Sequence, residues 1–286
     1  RKMKLVTFTH QGRTQAGILA DDRVHAIAAL VPGAPDDAIT VITQWENLKG
    51  KLAAAVKQAR GGHALPSVTL EAPIRRPGKI LAIGLNYADH IAESGMETPK
   101  EQVWFTKLPT SVNAPFAPVQ MPKASNALDY EAELVAVIGK RCKHVPKERA
   151  HEVVFGYACG NDVTARDWQF KTPQWVLGKS FDTHAPFGPA IVTSDELGDP
   201  HNLGIRCIVN GETRQSSNTK HLVFNIWDQI ACISQAMTLE PGDLIFTGTP
   251  GGVGIAAKPP RLLNVGDVMR VEIDRLGAIE ARIVAE

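Results

Sequence analysis

From Met3 to Val31 short apolar runs alternate with turn residues. Lys4–Thr9, Ala16–Ala20 and Arg23–Ile27 read as three strands, joined at Gln11-Gly12 and Asp21-Asp22. Residues 47–60 change to a helical period with one apolar face, and Gly61-Gly62 stops it. The Pro/Gly-rich stretch 71–78 is a linker. It divides the chain into a small N-terminal α/β domain, 1–75, and a larger domain, 76–286. Lys79–Gly84 is a short buried strand, followed by a short helix with Asn86 as its cap and Gly95 as its terminator. Val103–Lys107 is a strand that opens into an irregular loop through Pro109, Pro115, Pro118 and Pro122. The stretch 126–139 runs into a valine- and isoleucine-rich buried strand, and Tyr157–Asp162 is another that breaks at Gly160-Asn161-Asp162. Further on come a hairpin turning at Asn210-Gly211, a helix over Phe224–Met237, and two similar units in which Gly-Asp leads into a strand, at 241–247 and 265–273. Many short strands with few helices give an α+β class, mostly β, with a rolled or barrel-like mixed sheet.

Composition changes this picture little. The chain has 286 residues and a formal net charge of +1. No dense Lys/Arg block marks a nucleic-acid or anionic-membrane partner, and no apolar run reaches the roughly 20 residues of a membrane span. Cys142, Cys159, Cys207 and Cys232 are scattered, without CxxC or zinc spacing. They read as free thiols of a cytoplasmic protein.

Chemistry enters at the mouth of the strand near 131. Glu131 and Glu133 are two apart, so on a strand they share a face, and like charges that close need a proton or a cation between them. The pair is half of a hard-metal site or a solvated strand edge. Asp162, at a strand end, is placed to be a third ligand. His90 and Glu93 share a helix face, either as a general base held by a carboxylate or as a surface pair. Gly248–Gly254 is too irregular for a dinucleotide fingerprint and reads as a tight loop whose backbone approaches something closely.

Taken together the motifs point further. Gly84-Leu-Asn-Tyr-Ala-Asp-His90, Asp129-Tyr-Glu-Ala-Glu-Leu134, Gly160-Asn-Asp-Val-Thr-Ala-Arg-Asp-Trp-Gln169, Gly178-Lys-Ser-Phe-Asp-Thr183, Asn210-Gly-Glu212 and Leu239–Pro250 occur in this order. In that order and spacing the chain resembles the fumarylacetoacetate hydrolase family from residue 79 to its end. The resemblance implies a rolled β catalytic domain, a homodimer, and Mg²⁺ or Mn²⁺ on Glu131, Glu133 and Asp162. It implies His90 and Glu93 as a water-activating pair, with Lys179 beside the reacting oxygen. Arg166 and Gln169 match substrate-site positions. Lys107 and Thr249 are further candidates for substrate contact. The implied substrate is a small anionic 2-oxo or 1,3-diketo acid (an acylpyruvate, fumarylpyruvate or a diketo-deoxy sugar acid), hydrolysed at a C–C bond. Two alternatives stand beside this: a decarboxylase or isomerase/tautomerase of oxaloacetate-like acids, and a non-catalytic, metal-stabilised binding protein.

Overall fold

The N-terminal alternation folds as the pattern predicts. In the computed structural model of the chain, which describes residues 2–286, strands Lys4–His10, Arg13–Ala20 and Arg23–Ala26 form an antiparallel meander. Gln11, Asp21 and Asp22 take φ of 49°, 49° and 60°, the left-handed backbone of tight hairpin turns. Helices Ala38–Thr43 and Trp45–Gln58 cover the meander. The second is the predicted one. The first escapes the periodicity because it is short, although Asp37 marks its start by accepting from Thr40 N at 2.9 Å.

The meander does not stand apart from the rest of the chain. Lys4 and Leu5 pair with Val192 and Ile191, so it extends a 12-stranded sheet. Leu5, Ile18 and Leu52 share one buried cluster with Val135, Phe187 and Phe246.

The centre of this sheet is the strand Ala132–Ile138, in which every residue is buried. Leu134, Ala136 and Ile138 face one cluster, with Ile205, Val271 and Ile279. Val135 and Val137 face the other, beneath the N-terminal helices. A strand covered on both faces carries a continuous apolar run instead of alternation, as the sequence shows here. Burying each Val, Leu or Ile favours the fold by about 1.5–3 kcal/mol, which holds the strand and the residues at its mouth in place. The layer opposite is a five-stranded sheet built from Gly204–Val209, Glu212–Asn218, Val268–Ile273, Gly277–Ala285 and Val119–Met121. The two sheets with their helices make a mixed α+β fold in which strands dominate.

The two Gly-Asp units are alike in structure as well as sequence. Gly242 and Gly266 have φ of 88° and 95°, and each following aspartate closes its turn: Asp243 accepts from Glu240 N and Asp267 from Asn264 N, both at 2.7 Å. All four cysteines are free. Among the described residues no helix is long and apolar enough to cross a membrane.

Candidate functional site

Strand register assembles the carboxylates. Ala132 pairs with Asn161, so in the antiparallel ladder Glu131 falls opposite Asp162. Asp162 N donates to Glu131 O at 2.8 Å, and Glu131 N donates to the Asn161 side chain at 3.0 Å. Glu131 lies one residue before the strand begins, so the cross-strand register, more than side-chain alternation, brings it to Glu133 and Asp162. One oxygen from each of the three carboxylates lies within 4.8 Å of the others, and all three residues are buried.

Three cations answer this charge. Lys179 Nζ lies 3.0 Å from both Glu131 and Asp162. Lys107 Nζ donates to Asp162 at 2.6 Å and to Val163 O at 3.1 Å. Arg166 Nη2 lies 2.9 Å from Glu131 and from Asp129, and its Nε donates to Asp129 at 3.0 Å. Burial pushes the Asp162 carboxyl up, but Lys107 and Lys179 outweigh it and hold it down at about 2. Glu133 is different. It accepts only from Gly248 N, at 3.0 Å, and burial followed by the Asp162 and Glu131 charges pushes its pKa well above the carboxylate range. Four carboxyl groups, Asp129, Glu131, Glu133 and Asp162, face three cations, and among the described residues Glu133 is the one that makes no ion pair with any of them. A hard divalent cation fits this set: the donors are all oxygens, they converge, and a cation would replace the proton that Glu133 otherwise favours.

Glycine packing delivers Lys179. The short helices Arg166–Gln169 and Val176–Lys179 meet at Gly178, where a Cβ would lie 2.3 Å from Gln169 N. Gln169 in turn accepts from Arg166 Nη1 at 3.0 Å.

The tight loop after Phe246 binds carboxylates, and these are what its backbone approaches. Gly248 N donates to Glu133, Gly251 N to Asp89 at 3.1 Å, Gly252 N to Glu93 at 2.8 Å, and Gly254 N and Ile255 N to Asp129 at 2.9 Å each. Gly252, at φ 102°, admits no other residue, since a Cβ there would lie 2.0 Å from Arg214 O. This loop ties the helix Ala88–Ser94 to the strand Ala132–Ile138, which carries Glu133. On that helix His90 Nδ1 lies 2.8 Å from Glu93 Oε1, as the spacing predicts. Gly95 terminates the helix at φ 70°. Asn86 is not its cap. Tyr87 takes that place, while the Asn86 side chain accepts from Phe224 N and donates to the Phe224 and Thr247 carbonyls.

A cavity of about 530 Å³ gathers most of the predicted residues: His90, Glu93, Glu131, Glu133, Arg166, Gln169, Lys179 and Thr249 all line it. Thr249 donates its hydroxyl to Ala132 O at 2.9 Å and accepts from Gln215 at 2.8 Å. Asp162 and Lys107 are fully buried behind the cavity wall, with Lys107 on the far side of Asp162. Two acids not singled out by the sequence, Asp129 and Asp89, hold backbone N–H groups and Arg166. Asp129 stands in a quoted motif, but nothing in its spacing distinguishes it from a surface acid. The aromatic wall of Phe105 and Trp175 was also missed, because neither residue has a partner nearby in sequence.

The order of the motifs agrees with the comparisons to known proteins. The chain belongs to the fumarylacetoacetate hydrolase family, whose C-terminal domain model matches residues 79–284. The mitochondrial oxaloacetate tautomerase of Xenopus laevis is 50% identical over 220 residues, covering 76% of this chain and 69% of that protein. A mitochondrial oxaloacetate tautomerase of Bos taurus is 40% identical over 290 residues, 99% of this chain and 92% of that protein. Among solved structures, the maleylpyruvate hydrolase of Sphingobium sp. SYK-6, in complex with manganese(II) and pyruvate, matches with a TM-score of 0.84 at 35% identity over 99% of both chains. The two tautomerases are mitochondrial by name, whereas the scattered free thiols of this sequence pointed to a cytoplasmic protein.

Proposed function

We propose that the chain is an enzyme of small 2-oxo acids that works through the enol of its substrate, with keto–enol tautomerisation of an oxaloacetate-like acid as its reaction. The convergence of Glu131, Glu133 and Asp162 beside one cavity carries this reading, and the tautomerase relatives set the order of the alternatives. Mg²⁺ or Mn²⁺ held by these three carboxylates would polarise the oxygens of a 2-oxo acid and acidify the adjoining C–H. Arg166 and Lys179 bind the anionic acid, and Lys179 stabilises negative charge developing on the 2-oxo oxygen. His90, oriented by Glu93, moves the proton between carbon and water. Gln169 and Thr249 position the substrate at the cavity wall. Lys107 acts behind Asp162, holding that carboxylate charged and in place. The active form in this proposal is a homodimer.

The second reading, hydrolysis of a C–C bond in an acylpyruvate, is favoured by the same His90–Glu93 pair, which is placed to activate water. Oxaloacetate and acetylpyruvate, incubated with Mg²⁺ and followed by loss of enol absorbance with product analysis, separate the two. Tautomerisation yields the keto form and no new acid. Hydrolysis yields pyruvate and acetate from acetylpyruvate. If neither compound changes faster than in buffer with either metal, the proposal fails.

A further inference from the structure

A second cavity, of about 850 Å³, is larger than the carboxylate cavity and shares no residue with it. Tyr157, from the strand Val154–Asn161, lines it. Its walls are the short helix Ser194–Leu197, the turn Thr219–His221 and the start of the helix Ile226–Ala236. These walls are tied to one another. Thr219 donates its hydroxyl to Pro200 O at 2.7 Å and accepts from Leu203 N at 2.9 Å. His201 Nε2 accepts from Ile226 N at 3.1 Å. A backbone N–H can only donate, so that nitrogen is bare and Nδ1 carries the proton toward Asp199, 2.8 Å away. Trp227 packs edge-on against His201 and His151, at 5.0 and 6.1 Å between centroids.

Several polar groups of this cavity have no protein partner. Tyr157 is only 1% exposed, yet its phenol makes no hydrogen bond among the described residues. Burial, and then the charge of Asp199, push its pKa up, so it stays an O–H. A buried hydroxyl without a partner costs free energy that a ligand reaching it recovers. The indole N–H of Trp227 has no acceptor among the described residues either. Asn225 Oδ1 accepts from Asp228 N at 2.9 Å, which leaves the Asn225 N–H₂ as a further free donor. Acceptors line the same cavity. Asp195 forms no ion pair among the described residues, and His201 takes only one oxygen of Asp199. Asp228 is already occupied, by Lys147 Nζ at 2.6 Å and Asn225 N at 3.2 Å. Lys220 is exposed and offsets one of the two remaining carboxylates.

We infer that this second cavity is a binding site for a neutral, polyhydroxylated ligand of the monosaccharide class, with Tyr157 donating to one of its oxygens and Trp227 against its carbon face. The site goes beyond the function proposed above and does not rest on it. A cation would leave the donors of Tyr157, Trp227 and Asn225 unpaired. An anion would meet Asp195 and Asp199. A hydroxyl both donates and accepts at one atom, so a ring of hydroxyls satisfies donors and carboxylates together. The indole supplies the apolar surface that the C–H face of such a ring covers. Walls fixed in advance lower the ordering cost of binding.

The test titrates the full chain, isotope-labelled at its tryptophan indoles, with D-glucose, myo-inositol, choline and inorganic phosphate in separate arms. The Trp227 indole N–H signal is identified as the one missing in Trp227→Phe. It should shift saturably with D-glucose or myo-inositol, with a dissociation constant on the order of 1 mM, the range open to a ligand of about twelve non-hydrogen atoms. Tyr157→Phe keeps the ring and removes only the oxygen. It should weaken that binding about three- to tenfold. Thermal melting confirms that the variant is folded, and its oxaloacetate turnover should equal that of the wild type, since the two cavities share no residue. The inference is overturned if neither polyol moves the signal, or if choline or phosphate moves it in their place. It is equally overturned if Tyr157→Phe binds the polyol as tightly as the wild type. None of these outcomes bears on the carboxylate cavity, so the function proposed above stands or falls separately.

Discussion

The two halves of the candidate site are built on opposite physical plans. The carboxylate half is buried: Glu131, Glu133, Asp162, Lys107 and Lys179 are all at most 5% exposed, and each carboxylate is held by strand register, a cation or a backbone N–H. The His90–Glu93 half rides on a seven-residue helix at the surface, with side-chain exposures of 15% and 25%, tied down by two backbone donors from one glycine loop. Charges in the first half are part of the stability of the fold. Charges in the second can be removed without a penalty to the core. The cavity thus sets a buried, multiply held cluster of charges against a helix-borne pair that is partly open to solvent.

Substitution breaks the comparison most strongly on the buried side. In Lys179→Met, Glu131 and Asp162 lose a partner at 3.0 Å in a site 2% exposed. The expected loss of stability is about 3–5 kcal/mol by urea unfolding, together with loss of activity. His90→Ala should do the reverse. Its activity falls about 10²–10⁴-fold while its unfolding free energy stays within about 0.5 kcal/mol of wild type. If both variants lost stability equally, the division would be wrong.

Acid sharpens the contrast. His184 lies behind the carboxylates, donating Nε2–H to Gln120 O at 2.9 Å, and burial depresses its pKa from 6.5 to about 4. Between these values the unfolded chain binds a proton that the folded chain refuses. Stability is therefore full above pH 6.5 and falls as the pH drops toward 4, by about 3 kcal/mol at 1.36 kcal/mol per unit. Unfolding free energies of His184→Phe measured across that window should show a flatter slope than wild type. Metal acts on the same half. Mn²⁺ at about 100 times its dissociation constant should stabilise the wild type by about 2.7 kcal/mol in thermal melts, and Glu133→Gln should abolish that gain. The smallest effect belongs to the exposed half. Asp89→Ala removes the acceptor of Gly251 N at 3.1 Å and should cost about 1 kcal/mol or less, read as faster amide exchange in the 88–95 helix with little change in global melting.

The sequence exposed these halves unequally. Strand positions, the two Gly-Asp turns and the 226–236 helix were legible because their signals are local: apolar runs, φ-positive turn residues and a helical period. The carboxylate trio was legible only as an ambiguity, because register, which places Glu131 opposite Asp162, is a non-local quantity. The motif order tipped that ambiguity toward a metal site, and the structure places the three carboxylates together. Asn86 reads as a helix cap from its neighbours alone, yet its amide closes a contact 138 residues away. The short helix Ala38–Thr43 was invisible to a periodicity that needs more than one turn. Asp89 and Asp129 look like ordinary surface acids until the glycine loop is seen against them.

In the function proposed above, one divalent cation on Glu131, Glu133 and Asp162 supports enol chemistry in the cavity. The most direct test follows the decay of oxaloacetate enol absorbance with purified protein before chelation, after EDTA, and after Mn²⁺ is restored, with Glu133→Gln run alongside. Catalysed decay should vanish with EDTA, return with Mn²⁺, and fail to return in Glu133→Gln. Decay that persists through chelation, or that Glu133→Gln supports at the wild-type rate, would contradict the account.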